Sequence, residues 1–62
     1  MDKEQFVAKF KERLGHLLPR EVVVDEQGYI NLIAQTYWDD PDQRAEGPEE
    51  CAEAEASEWG EE

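Results

Sequence analysis

The chain has 62 residues and a formal net charge of −11, and charged residues make up 37% of it. That length supports one small domain at most, since a chain of this size buries only about 60% of its unfolded surface. The single Cys51 excludes an internal disulfide, and with the single His16 it leaves too few ligands for structural zinc.

No apolar run approaches the ~18 residues of a membrane span, and Met1-Asp2-Lys3-Glu4 lacks the apolar region of a secretory signal. A cytoplasmic protein without membrane association is therefore expected; a lone cysteine fits that reducing compartment. A disulfide between two copies, or a non-covalent homodimer, stays open. High charge and few aliphatic residues favour partial disorder, whereas six aromatics (Phe6, Phe10, Tyr29, Tyr37, Trp38, Trp59) favour an ordered front.

Asp2 to Leu18 reads as an amphipathic helix. Asp2 caps its first turn and Gln5 completes a capping-box pattern. Phe6, Phe10, Leu14, Leu17 and Leu18 recur at three-and-four spacing and share one face with Val7 beside them. Pro19 bars continuation.

Val22, Val23 and Val24 are β-branched and favour a strand. Asp25-Glu26-Gln27-Gly28 reads as a hairpin loop closed by a glycine free to take positive φ, with Tyr29 to Trp38 as the return strand. The competing reading is a second helix, because Ile30, Ile33, Ala34, Tyr37 and Trp38 also match the helical template. The turn chemistry at Gly28 and the Tyr, Ile, Thr and Trp content favour the hairpin. The expected fold is thus α+β: an N-terminal amphipathic helix packed on a two-stranded antiparallel hairpin over residues 1–38. Residues 39–62 follow as an acidic linker and C-terminal segment, helical or disordered.

Within that second part, Asp39-Asp40-Pro41-Asp42 is a turn by composition, and the chain to Gly47 looks like a linker. Gly47-Pro48 offers a helix start, and Glu49 and Glu50 complement the positive end of the helix dipole. Ala52, Ala56 and Trp59 fall on one side, and Gly60 would end the helix.

Motifs that carry chemistry are scarce. Asp40-Pro41-Asp42 begins like a calcium loop, but Arg44 and Ala45 stand where further ligands and a glycine belong. Cys51 lies among Glu50, Glu53 and Glu55, whose negative potential discourages a thiolate. Neither a metal, a cofactor nor a catalytic residue is expected, and the chain reads as a non-enzyme. Direct nucleic-acid binding is disfavoured as well, because it depends on cations neutralising phosphates. The Lys and Arg residues of the first twenty positions read as a solvated helix face, or as partial compensation for the acidic end.

That acidic end carries the functional expectation. The last 24 residues hold eleven carboxylates against Arg44 alone, a net charge of −10. If helical, Glu46, Glu50 and Glu53 would form one row and Glu55, Glu58 and Glu62 another, with neighbours ~5–6 Å apart. A DNA strand presents one charge per ~3.4 Å of rise, so such rows approximate a phosphate track. The expected partner-binding residues are Asp39, Asp40, Asp42, Glu46, Glu49, Glu50, Glu53, Glu55 and Glu58, with Tyr37, Trp38 and Trp59 as aromatic anchors.

In size and charge the acidic half resembles the small phage-encoded DNA mimics, which include anti-restriction proteins, anti-CRISPRs and DNA-glycosylase inhibitors. These share no single fold, so the resemblance brings no residue roles. It implies an inhibitor that blocks a basic DNA- or RNA-binding surface of a partner protein. The alternative is a non-enzymatic adaptor or antitoxin-like module that binds through its apolar helix and hairpin surface.

Overall fold

The computed structural model describes residues 1–59, and among them every regular element is a helix. In chain order these are α1 (Lys3–Leu17), α2 (Arg20–Asp25), α3 (Gln27–Asp39), α4 (Pro41–Glu46) and α5 (Pro48–Trp59). The fold is an all-α small domain with α1 at its centre, packed against α5 most extensively and against α3 next.

α1 forms as the spacing predicts. The Asp2 carboxylate accepts from the Gln5 backbone N–H at 2.8 Å, and the Gln5 side chain accepts from the Asp2 N–H at 3.3 Å. This reciprocal box satisfies two donors that a helix start leaves without partners. Phe6, Phe10, Leu14 and Leu18 are buried on one face. Leu17, grouped with them from the sequence, is 40% exposed, because Leu18 at the extended cap turns inward in its place.

The expected hairpin is absent: residues 20–25 and 27–39 are helices, and no strand occurs among the described residues. Two local signals were outweighed. Valine is disfavoured in a helix by less than about 1 kcal/mol per residue, a penalty that tertiary packing overrides. Val22 and Val23 meet that condition by packing against the core, while Val24 stays exposed. Gly28 sits inside α3, and Gly47 is the described residue with positive φ. Finally, a lone hairpin leaves two unpaired edges and is marginal in water, whereas helices satisfy their own backbone. Across Glu26 the chain stays nearly helical, with Glu26 N–H donating to the Val22 carbonyl at 2.9 Å and Ile30 N–H to the Glu26 carbonyl at 2.8 Å.

The helical template in residues 30–38 is therefore the operative pattern. Ile30 and Ala34 are buried, and Ile33, Tyr37 and Trp38 pack around them.

Residues 41–46, which composition marks as linker, fold as α4. Pro41 occupies its first turn, and the Asp40 carboxylate caps it by accepting from the Asp42 N–H at 3.0 Å. Gly47 ends it with φ 99°. Pro48 then opens α5, whose inner face is small: Cys51 and Ala52 are fully buried against Phe6, Phe10 and Leu14. Small residues there let α5 and α1 approach closely. The helix stop read at Gly60, and the carboxylates Glu61 and Glu62, lie outside the described residues.

Candidate functional site

The acidic surface is assembled from three consecutive elements. Asp39 and Asp40 end α3, Asp42 and Glu46 belong to α4, and Glu49 and Glu50 open α5; all six are exposed. Local structure supports several of them. Asp40 is a cap, and Asp42, Glu49 and Glu50 stand in first turns, where the helix dipole favours negative charge by about 0.3–1 kcal/mol each.

Their convergence is felt at Cys51. Burial pushes its thiol pKa up, and the charges of Glu46, Glu50 and Asp40, one from each element, push it further. The Cys51 thiol is fully buried and donates to the Gln43 carbonyl at 3.1 Å. The disulfide between copies left open by the sequence therefore has no accessible sulfur. Native Cys51 should react with a disulfide reagent at least about 100-fold more slowly than in denaturant, since reaction waits on unfolding; comparing reagent consumption with and without urea checks this. A native rate matching the denatured one would place the thiol outside the core.

Neither predicted row survives as a row. Gly47 interrupts the first, placing Glu46 on α4 and Glu50 and Glu53 on α5. Glu53 is also engaged, as the Arg13 guanidinium donates to it at 2.7 Å. Both side chains are over two-fifths exposed, so this pair contributes at most about 1 kcal/mol. It does tie α5 to α1. In the second row, Glu62 lies outside the described residues and Glu55 faces inward, only 7% exposed.

Glu55 is an organiser of packing. One carboxylate oxygen accepts from the Tyr37 hydroxyl at 3.1 Å and the other from the Trp59 indole N–H at 2.9 Å. It thereby joins α3 to the end of α5. Burial above all, then the hydrogen bond to Glu55 and the charges of Glu55 and Glu58, push the Tyr37 pKa up to about 12 from its usual 10.0. The folded protein thus holds the phenolic proton more tightly than the unfolded chain does. This contribution to stability is complete below pH 10 and is lost as pH rises through about 12. The loss should be on the order of 1–2 kcal/mol after allowing for solvent screening. Urea unfolding at stepped alkaline pH should show this slope in the native protein and not in Tyr37→Phe. An identical slope in both would refute the assignment.

The three expected aromatic anchors are half-buried and packed. Trp38 meets Phe6 edge-on, with centroids 5.4 Å apart, and the Arg44 guanidinium lies 4.8 Å from the Trp38 ring centroid. Tyr37 lies against Phe10 with the same 5.4 Å separation. Trp59 meets Tyr29 at 5.8 Å and 63°. Tyr29 was not singled out by sequence, because as a strand residue it had no relation to Trp59. Glu58 is exposed and shares an open cleft with Tyr29, Glu55 and Trp59.

Among the described residues, no three His, Cys, Asp or Glu side chains are grouped as metal ligands are. His16 is exposed, while the Cys51 hydrogen bonds go to Gln43. No described helix is long and apolar enough to cross a membrane. Comparisons with protein-family models, curated proteins and solved structures give no match.

Proposed function

We propose that this protein is a small cytoplasmic inhibitor that takes the place of nucleic acid on a basic DNA- or RNA-binding surface of a partner protein. It acts by occupancy and not by catalysis, in the manner of phage anti-restriction and anti-CRISPR proteins. The observation that carries this reading is the exposed set Asp39, Asp40, Asp42, Glu46, Glu49 and Glu50. These side chains sit at helix ends, the start of α4 being capped by Asp40, and none is in an ion pair among the described residues.

Concentrated negative charge on a rigid frame resembles the polyanion that a cationic groove is built to receive. Such a pair associates quickly, and salt weakens it steeply. The frame matters because the carboxylates are already in place, so less ordering entropy is lost on binding.

The test is capture of partners at low salt from the organism that makes the protein, followed by elution with rising salt. The reading expects a nucleic-acid-binding protein that duplex DNA or RNA displaces competitively. A partner retained at high salt and indifferent to nucleic acid would overturn it.

An adaptor reading keeps one observation of its own. Leu32 and Val24 are 62% and 55% exposed on α3 and α2. If exposed apolar side chains were the contact, Leu32→Asp would abolish capture while changes at Asp42 or Glu50 would not.

A further inference from the structure

The cleft between α3 and the end of α5 lies apart from the six exposed carboxylates on which the proposed function rests. Its lining is Tyr29, Glu55, Glu58 and Trp59. Two aromatic rings stand at 63° to one another above a carboxylate that is more than nine-tenths buried. Both groups bonded to Glu55, the Tyr37 hydroxyl and the Trp59 indole, are neutral donors. A carboxylate offers about four acceptor positions, so about two remain unfilled. Among the described residues no ammonium or guanidinium lies within ion-pair distance of Glu55. A buried carboxylate without a cation is costly, and the cost is relieved when one arrives.

We propose that this cleft receives one arginine side chain from a partner protein. The guanidinium would stack on the Tyr29 face and donate to Glu55 from one edge and to Glu58 from the other. Aromatic faces attract cations through their quadrupole, and a planar guanidinium adds stacking and a fork of donors that an ammonium lacks. The molecule already makes this contact once within itself, where Arg44 covers Trp38. The inference deepens the proposed function, on which it rests for the source of the arginine, since basic nucleic-acid-binding surfaces are rich in that residue.

The test titrates the isotope-labelled protein with blocked arginine (acetyl-arginine amide) and with blocked lysine, at constant ionic strength. The two indole N–H resonances serve as reporter and control. Trp59 donates to Glu55 inside the cleft, whereas the Trp38 ring is already covered by Arg44. Arginine should move the Trp59 signal to saturation and leave Trp38 in place, with lysine at least about three-fold weaker. Tyr29→Ala and Glu58→Gln alter exposed side chains and should each weaken the arginine response about three-fold. Glu55→Gln should remove it; should that variant unfold, the two exposed variants decide.

Equal responses to arginine and lysine, parallel unsaturated drift of both indoles, or full binding by Tyr29→Ala would each overturn the proposal. The two readings fail separately. If blocked arginine does not bind while partner capture remains sensitive to salt and to DNA, the cleft assignment falls and charge imitation stands. Saturable binding of arginine without any basic partner would leave the cleft and remove the imitation.

Discussion

Phe10→Ala is expected to remove about half or more of the stability of the fold. Phe10 is fully buried, and truncating a buried phenylalanine costs about 3–5 kcal/mol. A domain of this length has a total stability of only about 3–9 kcal/mol. The largest fully buried side chains are Phe6, Phe10, Leu14 and Cys51, so few neighbours could close the cavity. The Tyr37 ring, tilted against Phe10, would lose its support at the same time. Far-ultraviolet circular dichroism and urea titration measure the effect. A loss below about 1 kcal/mol would mean that α1 is not the centre of the core.

The second large effect separates binding from folding. Changing Asp42→Asn, Glu46→Gln, Glu49→Gln and Glu50→Gln together removes four exposed negative charges from α4 and the start of α5. Two opposing terms act on the fold. Favourable dipole contacts worth about 0.3–1 kcal/mol each are lost at Asp42, Glu49 and Glu50, while repulsion among the acids is relieved by a comparable amount. Net stability should therefore change by no more than about 1–2 kcal/mol. Affinity for a cationic partner has no such compensation and should fall by about 100-fold or more, with a shallower dependence on salt. Calorimetric binding and thermal melts of the same samples give both quantities. Undiminished affinity in the amide variant would end the charge-imitation reading.

The sequence reveals α1, leaves α5 as helix or disordered tail, and hides α2 and α3. In α1 a capping pair, an apolar stripe and a terminal proline agree, and the helix forms where they place it. At residues 22–38 the local and periodic signals conflict. Three valines and Gly28 speak for a turn and strands, while Ile30, Ile33, Ala34, Tyr37 and Trp38 mark a helical stripe. The stripe prevails because it can bury Ile30 and Ala34 against α1, and burial outweighs propensities of a few tenths of a kcal/mol.

The candidate site was legible in composition but not in arrangement. Counting acids finds the surface; it does not separate Glu55, which faces inward, from Glu50, which does not. A helical wheel of residues 48–59 does make that distinction, since it sets Glu55 between Cys51 and Trp59 on the apolar side. Tyr29 was beyond reach by this route, because its pairing with Trp59 depends on α3 being a helix.

The bend at Gly47 bears on the shape of target that the proposed function implies. With φ 99°, that residue takes a backbone region where a side chain is strained, and Pro48 bars α4 from running on into α5. The negative charges of Asp40, Glu46 and Glu50 consequently all bear on Cys51 instead of stringing out along a rod. A rod would lie lengthwise in a channel; a bent outline fits a hollow. Under the proposed function, that outline matches a cationic recess with walls on more than one side better than an extended, flat basic strip.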